Sequence, residues 1–338
     1  MNKRNVCARA AQMLGALLVL ERLAQRNCLL VINYHRIGNA ESTELDSGVF
    51  AATVEEFEAQ VTYLRKRYAI LTLGEAADLA GKCSDSRGTK ILITFDDGYK
   101  DNYLIAFRIL HSLGVPAAFF IVSSNLDNPL IPWWDRIAFW VRHSTQPTLR
   151  LSYPEAQDIP LVPGRRESVI LRLLQLYKSP ATADPERLLE GIKVACSPNA
   201  ELPPAADLFV NCEEAREMIR GGMAIGSHTH THRILAKLSR PEQWGEIAES
   251  KAILSRKLGT EVDTLAYPVG GPSSFSETTR SLLAEAGYRA AFSYYGGLNL
   301  PAATDRFDMK RVRLDAGTPL SRFRLQTALS VVTKGFWF

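Results

Sequence analysis

Three histidines stand at alternate positions in IGSHTHTHRIL (225–235): His228, His230 and His232, with no Cys, Asp or Glu among them. Two imidazoles and one carboxylate with open coordination positions form a common catalytic site for a divalent metal. On an extended strand all three rings would share one face, so the spacing by itself does not choose a pair. Adjacent Asp96 and Asp97 in ITFDDGYKDN offer the missing carboxylate. Buried side by side they are costly unless a cation or a hydrogen-bond network neutralises them, and a metal would do that. The competing reading is a polar strand end with solvated histidines, and for His230 taken alone it is the better one. Tyr267 and Pro268 in LAYPVGG form a third cluster.

These clusters need a scaffold that brings them together. Strand-like apolar runs recur at 29–34, 90–95, 117–122, 223–227, 262–267, 289–294 and 310–314. Between many of them lie helical patterns at 54–67, 102–114, 213–222, 241–259 and 276–287. Helices that end in Gly114, Gly222, Gly259 and Gly287, each followed by an apolar strand, give a repeated helix, glycine, strand rhythm. That rhythm predicts an α/β fold with a parallel sheet, open or closed into a barrel, and functional residues just past the C-terminal strand ends. A Pro-rich stretch at about 123–211 breaks the rhythm and is too long for a bare loop, so it is expected to be a partly helical insertion.

A chain of 338 residues with 46% hydrophobic residues can bury a sizeable core. Lys plus Arg number 40 against 36 Asp plus Glu, a small excess spread along the chain, which excludes the concentrated footprint of a nucleic-acid binder. Cys7, Cys28, Cys83, Cys196 and Cys212 form no CxxC pair and favour a reducing compartment over a disulfide framework. Lys3, Arg4 and Arg9 precede the run MLGALLVL (13–20), too short to span a bilayer, so residues 1–27 are expected as an amphipathic helix rather than a signal peptide. Residues 319–338 read as a C-terminal helix that mixes Arg and Lys with Phe336, Trp337 and Phe338. Both terminal helices are compatible with the membrane interface or with packing on the domain between them. The expected location is cytoplasmic, with peripheral association at the inner membrane face, and secreted or periplasmic as the alternative.

TFDDG (94–98), SHTxxH (227–232) and AYPxG (266–270) together resemble the motifs of the polysaccharide deacetylase family, the NodB-homology carbohydrate esterases. The resemblance spans roughly residues 28–122 and 210–315. It implies a distorted (β/α) barrel of about seven parallel strands over 28–318, carrying the insertion. It also implies hydrolysis of N-acetyl groups on amino sugars of a polysaccharide or glycan precursor. Carried onto this chain, Asp96 resembles the family's general base, and Asp97, His228 and His232 its metal triad, leaving His230 a bystander. The implied cofactor is one divalent ion, zinc first, with cobalt, nickel or manganese as alternatives.

Two positions depart from the family pattern. Ala266 stands where many relatives carry the arginine that positions the base, and no histidine follows His232 to serve as the late general acid. His35 in LVINYHRIG, directly after the first predicted strand, is the candidate acid, and resembles the N-terminal histidine of biofilm poly-N-acetylglucosamine deacetylases. Arg311 in MKRVRL resembles the replacement arginine of that branch, with a surface salt bridge as the plainer reading.

Tyr99 and Tyr267 are expected as sugar-stacking walls beside Pro268, although aromatics at strand ends are as often core. A backbone N–H near Val269 is expected to face the oxyanion. Trp134, next to Trp133, is expected either as a platform over the cleft or as an anchor of the insertion. Competing functions are an O-acetyl esterase or other amide hydrolase, and a catalytically idle carbohydrate-binding barrel. Asp96 argues against the last, because a binder has little use for a base beside the metal pair.

Overall fold

The computed structural model describes residues 15–82, 88–314 and 316–333. Each of the seven apolar runs forms a strand: β1 Cys28–Tyr34, β2 Thr89–Phe95, β3 Ala118–Ile121, β4 Ala224–Ser227, β5 Thr264–Ala266, β6 Ala290–Phe292 and β7 Arg311–Arg313. They pair in parallel in the order β6-β5-β4-β3-β2-β1-β7, with the short strand Ala69–Ile70 added beside β2. A parallel bridge from Phe292 to Met309, just before β7, brings the two ends of this order together. The result is a nearly closed barrel of seven parallel strands.

The strands read as continuous apolar runs because both of their faces are covered. Leu30, Ile32, Tyr34, Ile91, Ile93 and Phe95 pack outward with Phe57, Val61, Leu64, Leu110 and Met218 of the surrounding helices. Leu29, Val31, Leu92, Phe120, Phe292 and Met309 pack in a separate buried cluster that fills the barrel. Strand period is two, so the next inward positions after Val31 and Leu92 are Asn33 and Thr94. The barrel interior therefore turns from apolar to polar as it approaches the C-terminal strand ends.

The helices start and stop where local chemistry dictates. Thr53, Thr72 and Asn211 each cap a helix reciprocally with Glu56, Glu75 and Glu214. Gly114 and Gly259 close theirs in the left-handed conformation, with φ of 62° and 68°, which a side chain would resist. Helix Ala16–Leu23 packs against Leu320–Val332, and Glu21 accepts hydrogen bonds from Arg324 (2.8 and 3.1 Å) and from the Tyr63 hydroxyl (2.9 Å). Lys3, Arg4, Arg9, Phe336, Trp337 and Phe338 lie outside the described residues.

A second compact unit comprises Ala40–Val49 and Pro129–Leu208. It holds helices Trp133–Arg142, Arg166–Lys178 and Pro185–Cys196 and the antiparallel hairpin Thr148–Leu151 with Gln157–Pro160. Its contribution from 40–49 has no local sequence signal. Asp135 accepts from the Asp46 N–H at 2.8 Å and Arg142 donates to the Glu44 carbonyl at 2.9 Å, contacts that bind segments far apart in the chain.

Candidate active site and metal centre

Three strand ends deliver the chemistry. The Asp96 N–H donates to the Tyr34 carbonyl at 3.1 Å, which sets the end of β2 level with that of β1 and brings His35 beside the aspartate pair. After Asp96 the chain turns through left-handed Asp97 (φ 72°) and Gly98 (φ 73°), so the two consecutive carboxylates part. After β4, Thr229 (φ 66°) and His232 (φ 61°) curl the histidine segment. Among the described residues, the non-glycine positive-φ positions are Asp97, Ser197, Thr229, His232 and Val269, and all but Ser197 follow barrel strands at this rim. Each costs about 1–3 kcal/mol, so the surrounding contacts must impose them.

The curl separates the three histidines. His228 Nε2 lies 3.3 Å and His232 Nε2 3.4 Å from Asp97 Oδ1, and the two rings meet edge to face at 4.8 Å. His230 turns away, its Nδ1 2.9 Å from the Ser123 hydroxyl. Donor atoms of Asp97, His228 and His232 all lie within 4.8 Å of one another. Asp97 Oδ1 is buried and receives no hydrogen bond of good geometry from any described residue. His228 Nδ1 is 2.8 Å from the Ala266 carbonyl, which fixes its proton there and leaves Nε2 facing the carboxylate.

The charges at this centre suit a cation. Burial pulls His228 down, but the Asp96 and Asp97 carboxylates outweigh it and hold the imidazole above its ordinary range. Burial, followed by the positive His228 alongside, pushes His232 down to about 3. Burial would raise Asp97, yet the surrounding histidines keep it below the usual carboxylate range. A buried carboxylate facing two imidazole nitrogens fits a divalent metal with one oxygen and two nitrogen ligands and open positions.

Asp96 sits in a different network. Arg311, fully buried, donates from Nη1 to Oδ1 at 2.6 Å and from Nη2 to Oδ2 at 2.9 Å. Asn33 Nδ2 donates to Oδ2 at 3.1 Å, and Asn33 Oδ1 accepts from Arg311 Nη1 (2.8 Å) and from the Thr94 hydroxyl (2.7 Å). Burial would raise Asp96; Arg311 first, then His228 and His35, hold it far below the ordinary range. His35 Nε2 is 3.8 Å from Asp96 Oδ2, and its ring tilts against Tyr294 with centroids 5.4 Å apart. Burial lowers the His35 imidazole, against the pull of Asp97 and Asp96.

The expected sugar walls are not exposed. Tyr99 is fully buried, stacked on Phe209 and capped by the Arg36 guanidinium. Tyr267 is 1% exposed, stacks on Phe275 at 4.0 Å and donates its hydroxyl to the Phe307 carbonyl. Both rings are core, because their faces are taken by other aromatics. Trp134 is buried in the second unit, edge to face with Trp133. Pro268 accepts from the Gly270 N–H, and left-handed Val269 lies half-buried between them. Gly270 has no room for a side chain: a Cβ would stand 2.6 Å from that of Tyr294.

Asn33 and Tyr294 were not singled out by sequence reasoning. A signal for Asn33 exists, since it is a polar residue at an inward position of an otherwise apolar strand. Tyr294 had none, because only the approach of β6 to β1 and β7 brings it beside His35.

Fold and site together define a barrel protein whose C-terminal rim can hold one metal ion next to an arginine-clamped carboxylate. The chain matches the polysaccharide deacetylase family over residues 84–150 and 169–291. It is 22% identical over 300 residues to YxkH of Bacillus subtilis (strain 168), covering 87% of this chain and 74% of that protein. Its fold is similar to the Streptococcus pyogenes deacetylase PplD in complex with acetate, with a TM-score of 0.58 and 16% identity over 90% of this chain and 99% of that one. It is also similar to IcaB from Ammonifex degensii, with a TM-score of 0.56 and 21% identity over 91% and 98%. The chain belongs to the polysaccharide deacetylase family, hydrolases that act on N-acetyl groups.

Proposed function

We propose that the protein removes N-acetyl groups from the amino sugars of a polysaccharide or glycan precursor, with Asp96 as base, His35 as acid and Asp97, His228 and His232 as metal ligands. The observation that carries this reading is the bidentate Arg311 clamp on Asp96, with His35 on one side of that carboxylate and the Asp97–His228–His232 cluster beside it. A divalent ion at that cluster, zinc first, supplies Lewis acidity and a water of lowered pKa.

The clamp keeps Asp96 ionised, so it is ready to accept a proton from water, and holds it in one orientation. Amide cleavage needs that same proton at the departing nitrogen. Burial favours the neutral form of the His35 imidazole, which can take the proton from Asp96 and give it to the amine. Water adds to the acetyl carbon, the C–N bond breaks, and acetate and a free amino sugar leave. The Val269 N–H is the proposed donor to the oxygen that gains charge.

Screening acetylated oligosaccharides and nucleotide-linked or lipid-linked amino sugars for amine release, with and without chelator, tests the reading. Chelator-sensitive release of amine supports it. Release of acetate only from O-acetyl sugars would make the protein an esterase, and no release from any of them would remove the enzymatic proposal.

We also propose peripheral association with the cytoplasmic membrane face. Helix Ala16–Leu23 exposes Leu18, Val19 and Leu23 (57%, 57% and 59%) alongside exposed Arg22, the arrangement of an interfacial helix. No helix among the described residues is long and apolar enough to cross a membrane. Absence of flotation with anionic liposomes would dispose of this part.

A further inference from the structure

The left-handed backbone that brings His228 and His232 together is held from three sides: the His232 N–H donates to the Thr229 hydroxyl (3.1 Å), the N–H groups of Ser123 and Ser124 donate to the Thr229 and His230 carbonyls (3.1 and 3.0 Å), and side chains reach it from the helix that follows. That helix runs Arg240–Trp244, widens into a π turn over Gly245–Glu249 and continues as Ser250–Leu258. Two side chains four positions apart at this widening face the histidine segment. Glu246, 6% exposed, accepts from the N–H of His230 (3.0 Å), from the N–H of Thr231 (2.8 Å) and from the Thr231 hydroxyl. Ser250, fully buried, donates to the Thr229 carbonyl at 3.0 Å, and its hydroxyl lies 2.7 Å from that of Ser227. Ser227 Oγ in turn accepts the Thr229 N–H at 3.1 Å.

We infer that Glu246 and Ser250 are positioning residues for the His228–His232 pair: they hold the intervening segment in the curl that aims both Nε2 atoms at Asp97, and so set how tightly the pair takes a divalent ion. The inference rests on the reading of Asp97, His228 and His232 as the metal site.

The chemistry suits the task. A carboxylate presents two acceptor oxygens, and here they meet three converging donors from two consecutive residues. Without it the segment could relax toward an extended strand, in which three alternate histidines share a face and no two converge on one oxygen. The same clamp turns His230 out toward Ser123, which explains why the middle histidine of the motif is absent from the cluster.

The test uses the full chain and zinc alone, with affinity read by competition against a chromophoric chelator and folding checked by circular dichroism. Glu246→Ala is expected to weaken zinc binding by about 10- to 100-fold, the usual cost of losing a partner that orients a metal ligand. Glu246→Gln should stay within about threefold of wild type, because its carbonyl oxygen can accept both N–H groups while its amide donates to the Thr231 hydroxyl. A purely structural role would lower the melting temperature of the zinc-free protein and leave the affinity of the folded protein unchanged, which overturns the inference. If Glu246→Ala does not fold, Ser250→Ala decides: a loss of about 3- to 10-fold supports the inference and an unchanged affinity overturns it. His228→Ala separates the two levels. If that variant binds zinc like the wild type, the metal-site reading itself has failed; if it does not bind while Glu246→Ala binds normally, only the positioning inference has.

Discussion

Two buried carboxylates in this protein are each held by an arginine fork, and their surroundings differ. Glu21 meets Arg324 between the two terminal helices, where Tyr63 donates to the same carboxylate oxygen as Arg324 Nε. Asp96 meets Arg311 inside the barrel mouth, where Asn33 joins the clamp, His35 stands 3.8 Å away and a second carboxylate, Asp97, follows in the chain. The first pair closes a contact between helices. The second is surrounded by groups that can exchange protons and by backbone held in sparsely populated conformations. The same ion pair therefore serves as a staple in one place and as a charge-setting device in the other, and what distinguishes them is the neighbours.

The sharpest break in that comparison comes from the metal cluster. His228→Ala is expected to abolish metal binding and deacetylation together, measured as metal content and amine release, whereas no change near Glu21 should touch either. Asp96→Asn keeps the shape and removes the base, so turnover should fall by roughly 10²- to 10⁴-fold with metal content unchanged. Arg311→Lys sharpens the contrast, because an ammonium cannot reproduce the fork. Burial then pushes Asp96 upward against a weaker opposing charge, its proton is held to higher pH, and the acid limb of the pH–rate profile should move to higher pH. An unmoved acid limb would detach Arg311 from the base.

At the other pair the readout is stability. Arg324→Ala should cost roughly 2 kcal/mol in denaturant unfolding, below the 3–5 kcal/mol of a fully buried pair because Arg324 is 20% exposed, with turnover unchanged. Burial raises Glu21, but Arg324 and Tyr63 outweigh it, so its folded carboxyl lies below its unfolded value. Its contribution is therefore present above the unfolded pKa and lost as pH falls through the folded one, and Arg324→Ala should be closest to wild type in stability under the most acidic conditions. The smallest effect is expected from Tyr267→Phe: about 1 kcal/mol of stability for the lost bond to the Phe307 carbonyl, and no change in KM for a glycan. A raised KM would return Tyr267 to the substrate.

Much of the barrel was legible because parallel strands covered on both faces must be apolar throughout, and runs such as KILITF and AAFFIV are hard to place elsewhere. The insertion was visible through its prolines, but its partner segment Ala40–Val49 was not, since that association depends on contacts such as Asp46 to Asp135. Tyr99 and Tyr267 show where reading by type fails. An aromatic just past a strand end has both the cleft and the core within reach, and here Phe209 and Phe275 cover their rings.

The sequence by itself determined the parallel strand set, the placing of the aspartate pair and the histidines after strands, and the family to which the chain belongs, because periodicity and short motifs are properties of neighbouring residues. Only the tertiary structure decided that the His228 and His232 rings meet Asp97 while that of His230 does not, and that Arg311 and Asn33 close around Asp96. Those outcomes depend on left-handed turns held by contacts from Ser123, Ser124, Glu246 and Ser250 and on strands that are neighbours only once the barrel nearly closes, and neither is written in any local stretch of the chain.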